Sequence, residues 1–199
     1  MRREIEMSDA KWVLEPGCVV LVTSGSIERP NVMTFSWQTP IQGGKPARVS
    51  GSDRFPAEPC LLLLSINRER YTYELIKENP EVVVNVPGEE LLRAVHGAGS
   101  ASGRTRDKFK ELSLTPVSAE KVRPPVISEC IASLECAIRR FIPVGAHDLL
   151  VCEVVRADAD SDLFRGNWIP ERAKTLHYLG GRSYGVLERS VEVPGGGAP

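Results

Sequence analysis

Long apolar runs, aromatic side chains and net charge are all scarce in this sequence of 199 residues. The longest purely apolar runs, 18–22 and 60–64, have five residues each, whereas a membrane-spanning helix needs about 20. Aromatic residues make up 6% of the chain and the net charge is −1. A charge so close to zero gives no general attraction to nucleic acid or to anionic lipid. We therefore expect neither a nucleic acid nor a membrane as a partner.

The first residues, MRREIEMSDA, contain no apolar segment of the kind found in secretory signals, so no such signal is expected. The cysteines are odd in number, have no C-x-x-C pair and lie in apolar segments: Cys18, Cys60, Cys130, Cys136 and Cys152. This pattern is typical of reduced, buried thiols. We expect a cytoplasmic protein whose cysteines have no catalytic role. The three histidines lack the spacing of a zinc site, and no metal is expected.

Hydrophobic residues account for 42% of the chain and charged residues for 26%, which is typical of a globular protein. The length favours one domain, which we place at residues 1–190, with a flexible tail at 191–199. Short β-branched and apolar runs dominate over helical periodicity. The predicted strands are 18–23, 31–37, 60–66, 81–86, 130–142 and 148–156, the last two forming a long hairpin, and the clearest predicted helix is 71–79.

Six strands with few helices predict a mainly β fold, built as a closed or split antiparallel barrel with a few short helices. The helix at 71–79 lies between the third and fourth predicted strands. It is also compatible with the crossover of a βαβ unit, although nothing else in the chain alternates in that way.

The segment GAGSASGRTRDK has the composition of a phosphate site. It lacks the first glycine and the lysine of a P-loop, and a solvated surface loop is the simpler interpretation. However, Arg104, Arg106 and Lys108 stand beside small residues that leave backbone N–H groups accessible, which suits a single phosphate. A short helix beginning at Ser102 or Gly103 would place Arg104 and Lys108 on one face as a clamp.

Two further segments combine polar and apolar residues in an informative way. In SINRERYT the helix start near Thr72 is either an ordinary N-cap or, with Arg68 and Arg70 close by in sequence, a second anion site. In NVMTFSW, alternation places Asn31 and Trp37 on the apolar face of a half-buried strand, which a dry core does not explain. His147 lies in a turn between the two long strands, where most histidines are simply exposed.

Taken in order, these segments resemble the flavin reductase-like family, whose fold is the FMN-binding split barrel, and in particular its flavoredoxin-type branch. The resembling segments are LVTSG, NVMTFSW, PCLLLLSINRERYTYELI, VVVNVP, SGRTRDKF, CIASLECAI and GAHDLLVCEVV, which extend from Leu21 to Val155. The resemblance implies a six-stranded antiparallel Greek-key barrel, a homodimer, and one FMN per subunit in a groove near the dimer interface.

The resemblance also implies which residues bind the FMN cofactor. Those expected along the flavin ring are Asn31, Thr34, Ser36 and Trp37. Those expected near the ribityl chain and phosphate are Ser65, Asn67, Tyr71 and Thr72, with backbone contacts from Asn85 and Val86. Those expected at the phosphate end are Ser102, Gly103, Arg104 and Lys108, while His147 approaches from the late hairpin and Tyr184 is the matching C-terminal aromatic residue.

Three functions are compatible with this set of residues. The first is an FMN-dependent oxidoreductase of the NAD(P)H:flavin reductase type, which passes electrons through FMN to a second acceptor. The second is a flavoredoxin-type electron-transfer protein, reduced by a carrier protein such as a ferredoxin. The third is a binding module for another ligand, such as a deazaflavin or haem. We prefer the first, with no catalytic side chain of the protein's own, because no Asp, Glu or His constellation indicates a hydrolase.

Overall fold

Seven antiparallel strands form the main sheet of the computed structural model, which describes residues 17–43 and 58–193. The sheet strands are β1 (Val20–Gly25), β2 (Pro30–Phe35), β3 (Gln38–Gln42), β4 (Leu61–Asn67), β5 (Glu81–Val86), β8 (Ala132–Val144) and β9 (His147–Ala159). Two small ribbons pair β6 (Pro116–Val117) with β7 (Val126–Ile127), and β10 (Leu176–Gly180) with β11 (Ser183–Val186). The helices are α1 (Tyr71–Glu78), α2 (Leu92–Ser100), α3 (Lys108–Glu111) and α4 (Pro170–Ala173), and a 3-10 turn at Glu89–Leu91 leads into α2.

The strand order is β2-β1-β5-β8-β9-β4-β3, so the two edge strands, β2 and β3, are consecutive in the chain. The sheet curls until these edges approach each other at one corner. There the Ser65 N–H donates to the Trp37 carbonyl at 2.9 Å, and the Gln38 side chain donates to the Cys18 carbonyl. The sheet is therefore a barrel that is split along the outer edge of β2.

The predicted mainly β, antiparallel fold is confirmed, with seven strands in the main sheet where six were predicted. The missed strand is β3, whose sequence QTPIQ is mostly exposed and contains a proline, so it has no apolar alternation. The βαβ alternative for the helix at 71–79 is wrong, since α1 joins β4 to β5, which run antiparallel, three places apart in the sheet, whereas a βαβ unit joins parallel strands. The predicted long hairpin is confirmed as β8 and β9, with thirteen residues in each strand.

Two apolar layers hold the strands in place, one inside the barrel and one between the sheet and its covering helices. Val20 and Val22 of β1 point into the barrel, whereas Val19 and Leu21 pack in the outer layer with α2 and the β10–β11 ribbon. Because both faces of β1 are covered, the run at 18–22 is apolar throughout. The outer layer fixes α2 against β2, and this contact determines where the site lies.

Residues 1–16, 44–57 and 194–199 lie outside the described residues. The predicted limits of the domain at 1–190 and most of the tail at 191–199 fall in or next to them. Among the helices that the structure describes, none has the length and hydrophobicity needed to cross a bilayer.

Candidate functional site

The N-terminus of α1 is an open helix end. The Asn67 side-chain oxygen accepts from the Glu69 N–H at 2.8 Å, which turns the chain out of β4. Arg70 then occupies the N-cap position without any side-chain cap hydrogen bond, so the first-turn N–H groups lack a side-chain cap. The suggestion that Thr72 is the N-cap is wrong. Its hydroxyl lies one residue inside the helix and accepts from the Asn31 side-chain amide at 2.9 Å.

The C-terminal half of α2 lies against β2 because small residues allow a close approach. The Thr34 hydroxyl donates to the Val95 carbonyl of α2. A Cβ added at Gly99 would stand 3.3 Å from the Thr34 Cβ, so a larger residue would push the helix away. The unpaired edge of β2 thus runs between the end of α2 on one side and the start of α1 on the other.

Two adjoining cavities form a groove along this edge. The first, of about 300 Å³, is called here the α1 cavity, and the second, of about 270 Å³, the hairpin cavity. They share Met33, Arg70, Gly99 and Ser100. The predicted site residues that line the α1 cavity are Asn31, Tyr71, Thr72, Ser102, Gly103, Arg104 and Lys108, and those that line the hairpin cavity are Thr34, Ser36 and Tyr184.

Lys108 places a buried ammonium group in the wall of the α1 cavity. The residue is 6% exposed, and its Nζ donates to the carbonyls of Ala98 at 2.8 Å and Ala101 at 3.1 Å. No carboxylate among the described residues forms an ion pair with it. Burial lowers the pKa of Lys108 to about 8, and the nearby Arg70 cation adds to the shift. An ammonium has three N–H groups, so one donor remains for an anion in the cavity.

Asn31 contributes an unused acceptor to the same cavity. The residue is 4% exposed, and its Nδ2 donates to the hydroxyls of Ser24 at 3.1 Å and Thr72 at 2.9 Å. Its Oδ1 has no hydrogen-bond partner among the described residues. A buried polar atom without a partner costs free energy, so this oxygen would gain a partner from a ligand hydroxyl or N–H donor that displaced Gly103, which lies against it.

The predicted helix beginning at Ser102 or Gly103 is wrong. The Thr105 N–H donates to the Ser102 carbonyl in a turn, and α3 begins only at Lys108, with Asp107 as its cap. Arg104 and Lys108 therefore do not share a helix face. Lys108 turns inward, while Arg104 turns outward and forms an ion pair with Glu74.

Four other predicted residues gather at the corner where the barrel edges approach. The Trp37 and His147 rings lie 5.6 Å apart. Ser65 holds the Trp37 backbone, and Asn67 is the register partner of His147 across β4 and β9. Since β2 ends at Phe35, the predicted strand is too long, and Trp37 projects from the corner with 44% of its surface exposed. These residues adjoin Ser36 of the hairpin cavity but do not line either cavity.

Asn85 and Val86 lie away from the groove. The Asn85 side chain is buried, donates to the Leu21 carbonyl at 3.0 Å and accepts from the Ile127 N–H at 2.9 Å. The Val86 carbonyl accepts from the Ile131 N–H at 2.9 Å. Both residues are thus engaged in joining β5 to neighbouring segments, and neither lines the two cavities.

The groove also contains three residues outside the set expected to bind FMN. Arg70 lines both cavities and has no ion-pair partner among the described residues. In the hairpin cavity, His96 Nδ1 lies 3.3 Å from the Tyr184 hydroxyl, and the Tyr178 and Tyr184 rings lie 5.4 Å apart. The sequence indicated Arg70 as a cation beside the helix start, but only the packing of α2 on the ribbon reveals the His96 contact.

The thiols are poorly placed for redox chemistry. Burial raises the pKa of Cys152 to about 12 and raises the pKa values of Cys130 and Cys136 still further. A thiolate is the reactive form of cysteine, and burial disfavours it here. Among the described residues there is also no group of three or more His, Cys, Asp or Glu side chains arranged to hold a metal ion.

Comparisons with known proteins agree with this architecture. A family model described as a flavin reductase like domain matches residues 55–186. An uncharacterized protein of Archaeoglobus fulgidus is 41% identical over 142 residues, which is 71% of this chain and 72% of that protein. The FMN reductase (NADH) RutF of Pseudomonas syringae pv. syringae is 31% identical over 101 residues, which is 49% of this chain and 53% of RutF. Flavoredoxin from Methanosarcina acetivorans has a TM-score of 0.79 at 20% identity, covering 97% of this chain and 95% of its own, which confirms the split-barrel fold.

Proposed function

The chain belongs to the flavin reductase-like family, and from this premise we propose that it is an FMN-dependent oxidoreductase of the NAD(P)H:flavin reductase type. The observation that carries the proposal is the pairing, in one cavity, of a buried ammonium without a carboxylate and a buried amide oxygen without a donor. A phosphorylated polyol satisfies both, because its phosphate is an anion and its hydroxyls are donors. FMN is such a ligand, and the relative RutF is named as an FMN reductase that uses NADH.

The phosphate of FMN would lie in the α1 cavity, held by Lys108, Arg70 and the open N-terminus of α1. The phosphate carries about two negative charges near neutral pH, and cations and helix N-termini are the partners that such an anion prefers. The Asn31 oxygen would accept from a ribityl hydroxyl. We propose that Ser102 and Tyr71 complete this end of the site. Asn85 and Val86 belong to β5 and lie outside the groove.

The ring of FMN would extend along the open edge of β2 toward Ser36 and the corner that holds Trp37 and His147. An edge strand presents unpaired backbone N–H and C=O groups, which match the hydrogen-bonding edge of a flavin. Bound FMN supplies hydride acceptance and onward electron transfer. The protein's own residues bind and orient it. The Tyr178, Tyr184 and His96 side chains line the hairpin cavity beside it.

Purified protein is expected to be yellow and to bind about one FMN per chain. Mixing it anaerobically with NADH or NADPH is expected to bleach the visible absorbance band of the flavin within the mixing experiment. The direct measurement is absorbance after a desalting step, followed by stopped-flow spectroscopy with each nucleotide. A colourless protein that takes up no added FMN would remove the basis of the whole proposal.

The same experiment separates the first function from the flavoredoxin-type alternative. Exposed apolar side chains near the corner, Trp37 at 44%, Ile41 at 48% and Val144 at 52%, suit contact with another protein surface. If FMN binds but neither nucleotide reduces it, reduction by a carrier protein such as ferredoxin becomes the better assignment. Stoichiometric bleaching by reduced ferredoxin would then identify the donor.

We propose that the same exposed surface joins two copies of this chain in a homodimer. The outer edges of β2 and β3 are unpaired in the described part of the chain, and proteins usually cover such edges. Light scattering is expected to give twice the mass of 21.9 kDa, and dilution below the dimer dissociation constant is expected to release FMN. A monomer with full FMN occupancy would contradict this. We also place the protein in the cytoplasm, in line with its free thiols, of which Cys136 and Cys152 are buried.

A further inference from the structure

The structure assigns to Arg104 the role of a latch that closes the far end of the α1 cavity and thereby selects flavin mononucleotide over flavin dinucleotide. This inference rests on the proposed function, since it concerns how the same cavity treats the two forms of the cofactor. It differs from the expectation drawn from sequence, in which Arg104 contacts the phosphate itself.

The two ends of the α1 cavity are different in kind. One end is continuous with the hairpin cavity through Met33, Arg70, Gly99 and Ser100. Away from this junction, the wall consists of residues that line the α1 cavity alone, among them Tyr71, Gly103 and Arg104. A ligand whose ring extends toward the hairpin cavity therefore has its phosphate within the α1 cavity, whose wall includes Lys108, Gly103 and Arg104.

Gly103 closes this far end by direct contact. A Cβ added there would stand 2.0 Å from Asn31 Oδ1 and 3.1 Å from a ring carbon of Tyr71. The glycine is thus wedged between β2 and α1 with no room even for a methyl group. A second phosphate and an adenosine, which continue from this position in FAD, need the segment around Gly103 to move.

Arg104 fixes the segment around Gly103 against the start of α1 through several contacts. Its guanidinium forms an ion pair with Glu74 and donates to the Glu69 carbonyl at 3.3 Å. It also lies 5.6 Å from the centre of the Tyr71 ring, whose hydroxyl accepts from Arg29 at 2.9 Å. Because its charge is already matched by Glu74, Arg104 is a weaker phosphate partner than Lys108 or Arg70, which have no carboxylate.

The test compares Glu74→Gln and Arg104→Ala with wild type in the full-length protein, using flavin fluorescence to measure the dissociation constants of FMN and FAD. Both variants remove the ion pair, so both are expected to speed FMN release. Both are also expected to reduce the preference for FMN over FAD by about two- to fivefold, which is the factor that corresponds to the free energy of an exposed ion pair. Glu78→Gln is the matched control, because Glu78 is also exposed on α1 but forms no ion pair among the described residues. It is expected to behave as wild type.

Opposite signs for the two variants would overturn the latch. If Arg104 binds the phosphate, freeing it in Glu74→Gln tightens FMN binding, while Arg104→Ala weakens it. Wild-type protein that binds FMN and FAD equally well, or variants that change neither constant, would also overturn the latch while leaving flavin binding intact. A wild-type protein that binds neither flavin overturns the proposed function and the latch together. Melting temperatures within about 4 °C of wild type are expected for these exposed substitutions.

Discussion

Replacing Lys108 with Met is expected to weaken FMN binding by about ten- to a hundredfold and to leave riboflavin binding nearly unchanged. The estimate follows from the free energy of a charge-assisted hydrogen bond, about 1.5–3 kcal/mol, at about 1.4 kcal/mol per factor of ten. The Lys108 ammonium is 6% exposed, has no ion-pair partner among the described residues and lines the α1 cavity. Riboflavin lacks the phosphate, so it reports on the rest of the site.

The pH dependence of FMN binding is a second test of the role of Lys108. Since the pKa of Lys108 is lowered to about 8 without ligand, its ammonium form is present below that pH and is lost above it. FMN favours the ammonium form, so binding is coupled to proton uptake, and the affinity is expected to fall by up to about tenfold per pH unit above pH 8. The phosphate, with its second pKa near 6, has already titrated at that pH. Lys108→Met is expected to remove this slope.

Methionine is chosen because it matches the unbranched apolar stem of lysine as far as Cε and lacks only the terminal ammonium. The substitution removes a buried charge, which relieves its desolvation, and leaves the carbonyls of Ala98 and Ala101 without their donor. These effects oppose each other, and circular dichroism is expected to show a folded protein. Equal losses for FMN and riboflavin would indicate a damaged fold instead of a lost phosphate contact. If neither affinity falls, the phosphate would have to be assigned to Arg70 and the start of α1 instead of Lys108.

The strands of the barrel were predictable because their patterns are local. The strand predicted at 81–86 is β5 with the same bounds, and the long alternating segments form β8 and β9. β3 was not predictable in this way, because QTPIQ is short, polar and exposed. It is a strand only because β4, an apolar strand with an open edge, lies beside it and supplies hydrogen-bond partners, which is a long-range effect.

The candidate site was predictable in composition but not in arrangement. The basic loop, Asn31 and the start of α1 do meet in one cavity. The sequence could not show that Lys108 would turn inward to the end of α2 while Arg104 paired with Glu74, since both partners lie in other elements. Asn85 belongs to a resembling segment, and its amide joins β5 to the Leu21 and Ile127 backbones. The sequence does not show that long-range role, and the backbone contact expected between Asn85 and FMN stays a prediction.

Gly103→Ala is expected to destabilise the protein by about 1–3 kcal/mol, as overpacked positions do, and to weaken the binding of FMN and riboflavin alike by about tenfold or more. The new Cβ would stand 2.0 Å from Asn31 Oδ1, so either the segment or the Asn31 side chain must move. Asn31 bridges Ser24 and Thr72 through its amide, and its displacement removes the acceptor proposed for the ribityl chain. Because both flavins have that chain, both lose the contact.

Lys108→Met is expected to weaken the binding of FMN alone, whereas Gly103→Ala is expected to weaken the binding of both flavins. The two variants together therefore distinguish contacts to the phosphate from contacts to the ribityl chain. Gly43→Ala is the matched control, since a Cβ at Gly43 meets nothing within 4 Å among the described residues, and it is expected to leave the melting temperature and both affinities unchanged. For a chain of this size, 1 kcal/mol shifts the melting temperature by about 2–4 °C, so thermal unfolding resolves the loss. If Gly103→Ala weakens FMN alone, the segment contacts the phosphate and not the ribityl acceptor, and the proposed role of Asn31 would have to be abandoned.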